Sequence, residues 1–305
     1  MNKVRYGWLL LPALAVALWV ANASRPGIKA EGCPAGCVTA GERREGPLRL
    51  LSLNLLHDFP RFKSLGRRLE LVSDEIRRQD ADIVCLQEVP WVARLGNGAA
   101  TLARQTGLNY LYLRANGNRW AILFEEGEAI LSRYPLQEPA FIELQPPAGL
   151  FEHRVALQAT AITPWGALPI TVAHLTNGDP QINLAQAQSL LAFVERSRGG
   201  PAVVAGDFNA KEDSPQIQAM SRQWIDAYRT TSQDPGATCC IDDLTTGPGH
   251  PLEKRIDYLF LAPGQGARVV SSRRVLAEPQ WSGEEYLWAS DHVGLLVEIG
   301  LGQPE

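Results

Sequence analysis

Short apolar runs, each bounded by a polar residue, recur along the chain after residue 47. Runs such as 48–54 and 82–88 have the length and composition that are typical of buried strands. The polar residues beside these runs are Asn54, Gln87, Glu88, His174, Asp207, Asn209, Asp257, Asp291 and His292. Because the strands of one sheet end at a common edge, the pattern predicts that these side chains gather into one polar site.

Helices alternate with the apolar runs. Residues 62–79 carry apolar positions at helical spacing, and further helices are predicted over 99–106, 182–196 and 215–222. The predicted strands are 48–55, 82–88, 109–113, 120–124, 129–132, 154–163, 168–175, 201–205, 256–261, 268–275 and 293–299. Mixed strands with intervening helices indicate an α/β fold in which two sheets pack face to face with helices outside.

Composition fits a single domain over residues 48–300. The 305 residues are 45% hydrophobic and 20% charged, and no linker or charge block divides this stretch. The net charge of −4 does not indicate nucleic-acid binding. It still leaves room for a local basic patch on an acidic protein. The densest basic positions fall on the first predicted helix, where we expect a solvated face. They are Arg67, Arg68, Arg77 and Arg78.

The N-terminus has the pattern of a targeting segment. Lys3 and Arg5 precede the apolar stretch Trp8–Val20, which is short for a spanning helix of about 20 residues. Ala21 and Ala23 then supply small residues at the two positions that a signal peptidase recognises. We expect residues 1–23 to be a cleaved signal peptide in preference to a membrane anchor. Residues 24–47, rich in Gly, Pro and charge, are expected to form a flexible tether.

Cysteine usage agrees with export. Cys85 lies inside an apolar run and is expected to be a small core residue. Cys33, Cys37, Cys239 and Cys240 suit disulfides in an oxidising compartment. A Cys33–Cys37 bridge and a tie between the tether and the 239–240 loop both stay open. A zinc site at Cys33 and Cys37 ranks below disulfides, because adjacent Cys239 and Cys240 cannot easily ligate one ion together.

In combination and order, the polar motifs resemble the endonuclease/exonuclease/phosphatase superfamily, which has the DNase I-like fold. The matching strings are SLN at Asn54, LQE at Glu88, AILSRYP at 129–135, AHL at His174, GDFN at 206–209, RIDY at 255–258 and SDH at 290–292. The resemblance extends from about Leu48 to Ile299. It implies a four-layered sandwich, two mixed sheets flanked by helices, and metal-assisted hydrolysis of phosphoesters.

The residue types suit a magnesium site. Mg²⁺ accepts one or two carboxylates, keeps several waters and takes substrate oxygens as its remaining ligands. Glu88 is the expected direct ligand, and Asn54 supplies an amide oxygen or a hydrogen bond beside it. Asp291 adds a second carboxylate. Mn²⁺ is the alternative cation, and one- and two-metal mechanisms both stay open.

The catalytic roles combine chemistry with the resemblance. The imidazole of His292 titrates near neutrality, and the resemblance makes Asp257 the carboxylate that fixes its tautomer. Asp207 orients or deprotonates the water, and Asn209 donates to a phosphoryl oxygen. Either Asp207 or His292 serves as the base. His174 matches the second histidine of the superfamily, which protonates the leaving oxygen or binds the phosphate.

Several further positions bear on this site. Glu126 is a candidate carboxylate for His174, and Glu128 stands where the superfamily often carries Asn. His57 could reach the mouth of the cleft, but an ordinary loop histidine is the favoured interpretation. The strand that starts at Arg154 could begin near the site. The tryptophans could stack on a substrate, but core packing is the default expectation for them. They are Trp91, Trp120, Trp165 and Trp288.

Three functions fit these observations. The first is an exported, monomeric, Mg²⁺-dependent phosphodiesterase or phosphatase that acts on a small-molecule or lipid phosphoester, with membrane association through residues 7–23 still open. The second is a secreted nuclease with the same chemistry. The third is a catalytically silent binding protein, and the competent residue at every expected catalytic position argues against it. The acidic net charge favours the first over the nuclease.

Overall fold

The computed structural model describes residues 7–32, 37, 46–197, 202–262, 264 and 266–302. Within these ranges the helices are α1 Gly7–Ala21, α2 Leu65–Gln79, α3 Gly98–Thr106, α4 Pro180–Ser197, α5 Pro215–Ser221 and α6 Ala227–Thr231. The strands are β1 Glu31–Gly32, β2 Leu48–Asn54, β3 Ile83–Val92, β4 Gly96–Asn97, β5 Asn109–Asn118, β6 Phe124–Ser132, β7 Leu136–Glu143, β8 Val155–Thr163, β9 Gly166–His174, β10 Ala202–Asp207, β11 Ile225–Asp226, β12 Asp257–Ala262, β13 Arg268–Val275, β14 Gln280–Trp281, β15 Tyr286–Leu287 and β16 Gly294–Gly300. None of the helices described is long and apolar enough to cross a membrane.

The strands form two large mixed sheets and a small hairpin. The first sheet has the order β1–β5–β6–β3–β2–β16–β13, with β4 paired to β3. The second has the order β11–β12–β10–β9–β8–β7, and β14 pairs with β15. Each large sheet contains one parallel pair, β2 with β3 and β9 with β10. The carboxyl ends of these two pairs carry most of the polar residues described above.

Three apolar layers hold the fold together. The layer between the sheets includes Leu50 and Ile83 from the first sheet and Val172 and Val203 from the second. Helices α2 and α3 cover the outer face of the first sheet, and α4 and α5 cover that of the second. The structure is therefore the four-layered α/β sandwich that the sequence predicts. Burial of each large apolar side chain contributes about 1.5–3 kcal/mol to such a core.

The sequence of α2, the helix next to the site, predicts which of its side chains are buried, with one exception. Apolar positions of α2 such as Leu69 and Ile76 are buried on one side, as their spacing predicts. Arg67, Arg77 and Arg78 are exposed, but Arg68 is 1% exposed, so the expectation of a solvated face is wrong for this residue. Its guanidinium is buried because it donates to carbonyl oxygens in the loops at both ends of the site.

The predicted strand at 120–124 is wrong, because this segment is mostly the turn between β5 and β6. Both strands are longer than predicted, and β6 includes Glu125, which is buried. Arg114 and Arg119 neutralise this carboxylate, so a strand can carry it inside the protein. Trp120 lies in the turn and is 89% exposed, contrary to the core packing expected for it. Strand β7 was not predicted from the sequence.

Part of the expected flexible tether is ordered against the first sheet. Ser24 is buried, Gly27 N–H donates to Arg114 O at 2.7 Å, and β1 pairs with β5. These backbone bonds replace the free tether expected over the described part of 24–47. The expectations for residues 1–6, 33–36 and 38–45, including Cys33, fall outside the described residues.

The cysteines of the domain take two forms. Cys85 is a buried free thiol in the core, as expected, and burial raises its pKa to about 12. Cys239 and Cys240 form a disulfide with each other. The alternative in which the 239–240 loop is tied to the tether is therefore wrong.

Candidate active site

The polar residues at the strand ends meet around one cavity of about 450 Å³. The residues of the predicted set that line it are Glu88, His174, Asp207, Asn209, Asp291 and His292. Asn54 and Asp257 lie behind this lining and hydrogen bond to it. The two sheets contribute separately: β2, β3 and the segment before β16 form one side, and β9, β10 and β12 form the other. The site is therefore assembled at the place where the sheets pack together.

A β-bulge places Glu88 in the cavity. The register of β3 against β6 shifts between Leu86 and Val89, and Glu88 has a φ of 52°. Its Oε1 accepts from Asn54 Nδ2 at 3.3 Å, and its Oε2 accepts from the backbone N–H of His57 at 3.2 Å. Burial alone would raise the pKa of Glu88, but the charges of His57 and Arg154 bring it below its ordinary value. Glu88 is therefore a carboxylate with lone pairs available to a cation.

Asn54 joins the two halves of the site. Its amide nitrogen donates to Glu88 and, at 3.1 Å, to Asp207 Oδ2. Its amide oxygen accepts from the N–H of Leu56 at 3.0 Å. Of the two roles expected for Asn54, this arrangement favours the hydrogen bond beside the metal ligand over direct ligation.

His292 and Asp257 form a buried pair. His292 Nδ1 lies 2.8 Å from Asp257 Oδ2, and its Nε2 lies 3.7 Å from Asp207 Oδ2. Although burial opposes the charged form, the carboxylates of Asp257 and Asp207 raise the pKa of His292 well above its usual value. Asp257 therefore holds the proton on Nδ1 of His292. Nε2 of His292 points toward Asp207 and the cavity.

The groups around Asp207 shift its pKa in opposite directions. Burial and the Asp257 carboxylate raise the pKa of Asp207 to about 7, despite the neighbouring His292 and the N–H of Asn209. The Asn209 N–H donates to its Oδ1 at 2.9 Å, which fixes the plane of the carboxylate. A carboxyl group of this kind can accept a proton near neutral pH.

His174 lies beside the guanidinium of Arg154 and, with its Nε2 3.5 Å from Oδ2, beside the carboxylate of Asp207, not of Glu126. Arg154 Nη1 lies 2.9 Å from His174 Nδ1, and Asn209 Nδ2 lies 3.0 Å from Nε2. Burial and the charge of Arg154 hold the pKa of His174 well below its usual value. A neutral imidazole is a poor proton donor, so the structure favours a phosphate contact over protonation of the leaving oxygen.

The candidate partner of His174, Glu126, is bonded elsewhere. Its Oε1 accepts from Asn116 Nδ2 in the adjacent strand. Neighbouring Glu128 is also fully buried, and burial followed by the charge of Glu126 raises the pKa of Glu128 well above its usual value. The assignment of Glu126 to His174 is therefore wrong, and Glu128 brings a carboxyl group to the position where the superfamily often has an amide.

His57 is not an ordinary loop histidine. Its Nε2 lies 3.6 Å from Glu88 Oε2, and its ring packs against Phe124 with centroids 5.2 Å apart. Asp291, which also lines the cavity, accepts from Ser290 Oγ at 3.2 Å, and burial raises its pKa. Both residues border the space in front of Glu88.

The oxygen donors of the site suit a hard divalent cation. Glu88 and Asp291 present carboxylates to the cavity, and Asp257 Oδ1 is buried without a hydrogen-bond partner in the described structure. The ligand atoms of Asp207, Asp257 and His292 lie within 4.8 Å of one another. A bound cation would compensate these crowded acids, and carboxylates with open cavity space for water are what Mg²⁺ and Mn²⁺ accept.

The wall of the cavity next to His292 is the Cys239–Cys240 disulfide. Cys239 forms an antiparallel bridge with His292 and another with Lys254. The sulfur atoms and the ring nitrogens of His292 come close enough to hold a metal, but zinc requires thiolates, which a disulfide lacks. These cysteines therefore shape the site instead of ligating zinc.

The sequence places the strand start at Arg154 near the site, and Arg154 contacts His174. The local signal for Arg154 is its position directly before the apolar run of β8. Sequence reasoning missed Lys211 and Lys254, which line the cavity. The lysines lie in loops whose sequence carries no comparable signal.

A four-layered sandwich with a carboxylate, amide and imidazole cluster at the sheet ends defines a class of phosphoester hydrolases. A sequence profile described as Endonuclease/Exonuclease/phosphatase family matches residues 51–292. The chain belongs to this family, as the motifs indicated. Its members are hydrolases acting on phosphoesters and are generally divalent-metal dependent. No curated protein matches the chain.

Solved structures of low sequence identity share the fold. An endonuclease/exonuclease/phosphatase family protein from Bacteroides thetaiotaomicron is 17% identical with a TM-score of 0.67, covering 84% of this chain and 98% of its own. A mannosyl-6-phosphatase from the same organism is 18% identical with a TM-score of 0.63, covering 83% and 99%. A truncated Caenorhabditis elegans TDP2 is 18% identical with a TM-score of 0.62, covering 84% and 97%.

Proposed function

We propose that this chain is an exported Mg²⁺-dependent phosphodiesterase or phosphatase that acts on a small-molecule or lipid head-group phosphoester. The observation that carries the proposal is the Asp257–His292 pair, which lies beside Asp207 in the cavity that Glu88 also lines. A fixed imidazole, a proton acceptor and a carboxylate for the cation are the groups that phosphoester hydrolysis requires.

Each side chain has a role that its contacts support. Asp257 holds the Nδ1 proton of His292, and because the pKa of His292 is raised, its Nε2–H is a donor to the phosphate. Asp207, oriented by Asn54 and the N–H of Asn209, accepts the proton of the attacking water. Nε2 of His292 lies 3.7 Å from Oδ2 of Asp207, so the charged imidazole also attracts the carboxylate.

Residues at the end of β9 and just after β10 bind the phosphoryl group. Asn209 and His174 present polar atoms there, and Arg154 supplies positive charge behind them. Lys211 and Lys254 add cations at the opening. Preorganised donors of this kind stabilise the charge that develops on phosphoryl oxygens.

Glu88 and Asp291 would hold the Mg²⁺, with Asn54 orienting Glu88. The bound cation supplies charge neutralisation at the phosphoryl oxygens. Removing the Glu88 carboxylate would thus weaken the metal site without disturbing the apolar side of β3.

Export is supported by two independent features. The N-terminal residues have the order of a signal sequence, with a basic start, an apolar stretch and small residues at 21–23. The Cys239–Cys240 disulfide suits an oxidising compartment. Mass spectrometry of the protein from its native host tests this: a chain that begins at Ser24 supports export, and an intact Met1 in a cytosolic fraction with free thiols contradicts it.

The alternative functions are a secreted nuclease and a silent binding protein. A panel of DNA, RNA, phosphatidylcholine, sphingomyelin, phosphoinositides and an artificial diester separates them. Each substrate is tested with Mg²⁺, with chelator and with the variant His292→Ala. We expect Mg²⁺-dependent hydrolysis of a lipid or small phosphoester that is lost in the variant. Preference for DNA or RNA would establish the nuclease, and no hydrolysis with any divalent metal would leave the binding protein.

A further inference from the structure

Helix α1 has no polar side. It contains no charged residue, and apolar residues occupy all of its faces. The side chains of Leu14, Val16, Leu18 and Trp19 are each more than half exposed. A surface helix of a globular protein carries one polar face and one apolar face. Because α1 lacks the polar face, its exposed side chains require apolar surroundings that the domain does not supply.

The end of α1 is fastened to loops beside the active-site cavity. Trp19 Nε1 donates to Ala121 O at 3.0 Å, and Asn118 Nδ2 donates to Asn22 O at 2.8 Å. These two bonds attach the helix to the β5–β6 turn. Ser24 Oγ then donates to Phe151 O at 3.0 Å, in the loop before β8.

The same two loops expose large apolar side chains. Trp120 is 89% exposed, Leu123 is 62% exposed and Leu150 is 80% exposed. We name these three residues the apolar rim. Exposed apolar groups that occur together, unlike single ones, mark an interaction surface. All three lie in loops after residue 115, so they are present whether or not residues 1–23 are removed.

The apolar rim lies on the active-site side of the molecule. The turn leads into β6, which carries Glu126 and Glu128 to the buried acids of the site, and the other loop leads to Arg154. At about 3.3 Å per residue, Glu128 lies about 13 Å along β6 from Phe124. Apolar groups that bind at a bilayer interface enter it by about 5–10 Å. If the apolar rim entered a bilayer, the cavity would therefore lie near the level of the lipid head groups.

We propose that the apolar rim, joined by the end of α1 in a chain that keeps residues 1–23, seats the protein on a lipid bilayer, with the cavity opening to the head-group phosphates. Tryptophan is the side chain enriched at bilayer interfaces, and Trp19 and Trp120 both belong to this surface. Arg25 and Lys29, exposed directly after α1, suit anionic head groups. The conclusion that the substrate is a membrane phospholipid rests on the proposed phosphoester hydrolysis, but bilayer binding does not.

Fluorescence quenching tests the seating directly. The full chain and its variant Trp120→Phe are mixed with phosphatidylcholine vesicles that carry brominated acyl chains, which quench tryptophan at short range. The difference in quenching between the two proteins reports on Trp120 separately from the tryptophans of α1. We expect the wild type to lose more fluorescence than the variant does. Equal quenching of both proteins would show that the rim does not enter the bilayer and would overturn the proposal.

Hydrolysis tests the consequence for substrate. The triple variant Trp120→Ser, Leu123→Ser, Leu150→Ser is compared with Ile162→Ser, which removes an exposed apolar side chain at the far end of β8. We expect the rim variant to lose about tenfold or more of its kcat/KM on vesicle phospholipid and to keep its rate on a soluble diester. The control should keep both rates.

The outcomes separate the two proposals. Equal loss of both rates in the rim variant would indicate a folding defect, and the quenching comparison then decides the seating. Full retention of vesicle hydrolysis by the rim variant would overturn the inference while leaving phosphoester hydrolysis intact. A wild-type protein that hydrolyses no phosphoester would contradict the proposed function, and quenching would still report on the rim.

Discussion

Replacement of Arg68 by Met is expected to destabilise the protein far more than the same change at its neighbour Arg67. Arg68 is buried in α2, and its guanidinium donates to Leu55 O at 2.7 Å and Ala289 O at 3.2 Å. It also donates to Leu56 O at 2.9 Å. These carbonyls belong to the loops after β2 and before β16, so one side chain ties together the segments that carry Asn54 and Asp291.

The magnitude follows from the carbonyl groups left behind. The Leu55 and Ala289 bonds are buried, and each orphaned buried acceptor costs about 1–3 kcal/mol, or about 2–6 kcal/mol for the pair. Relief from burying a guanidinium offsets part of this loss. We expect a net decrease of about 3 kcal/mol in the free energy of unfolding. Displacement of the loops by about 1 Å would lower kcat by up to about 100-fold.

Urea unfolding and steady-state kinetics measure both effects. Arg67→Met is the matched control, because Arg67 is exposed and pairs only with Glu70 at the surface among its described contacts. Exposed pairs of this kind contribute less than about 1 kcal/mol. If Arg68→Met were no more destabilising than Arg67→Met, the bonds to the loop carbonyls would not support the site, and the reasoning would be refuted.

Three further predictions concern ionisable groups. Glu88→Gln should require more Mg²⁺ for half-maximal activity, with an unchanged circular dichroism spectrum; coincident Mg²⁺ activation curves would remove Glu88 from the metal site. Asp257→Ala and His292→Ala should each abolish most of the activity, and the double variant should lose little more, because paired residues act as one unit; losses that multiply would refute the pairing. The raised pKa of Glu128 means that the folded state holds this proton more tightly than the unfolded state. Stability from that proton is present at low pH and is lost as the pH rises, so Glu128→Gln should gain more stability over wild type at pH 8 than at pH 5 in urea unfolding. The same gain at both values would contradict the burial argument.

The site residues that sequence could predict are those set by local pattern. Asn54 and Asp207 stand at the ends of two buried strands. Asp257 begins another strand and His292 lies just before a fourth, so strand prediction alone brings these side chains to one edge. The motif resemblance then assigned the Asp257–His292 pair. The structure brings the two together at 2.8 Å, and their catalytic roles stay predictions.

The residues that sequence could not predict depend on partners far along the chain. Nothing local distinguishes Arg68 from Arg67, because its acceptors lie in loops up to 221 residues away. Arg154 approaches His174 across the β8–β9 pair, where charge complementarity suggested a carboxylate. In β6, Glu125 interrupts the apolar pattern, and its bonds to Arg114 in β5 and Arg119 in the turn after β5 explain how it is buried.

Because the site is divided between the two sheets, catalytic activity depends on how the sheets are aligned. Glu88 belongs to one sheet and Asp207 to the other, and Asn54 spans them with bonds of 3.3 and 3.1 Å. A core substitution that slides one sheet against the other by a fraction of an ångström, such as a change in volume at Val203, would separate the carboxylates of Glu88 and Asp207. Turnover would then respond before global stability does. Selection for activity alone would consequently constrain apolar residues between the sheets that never contact substrate.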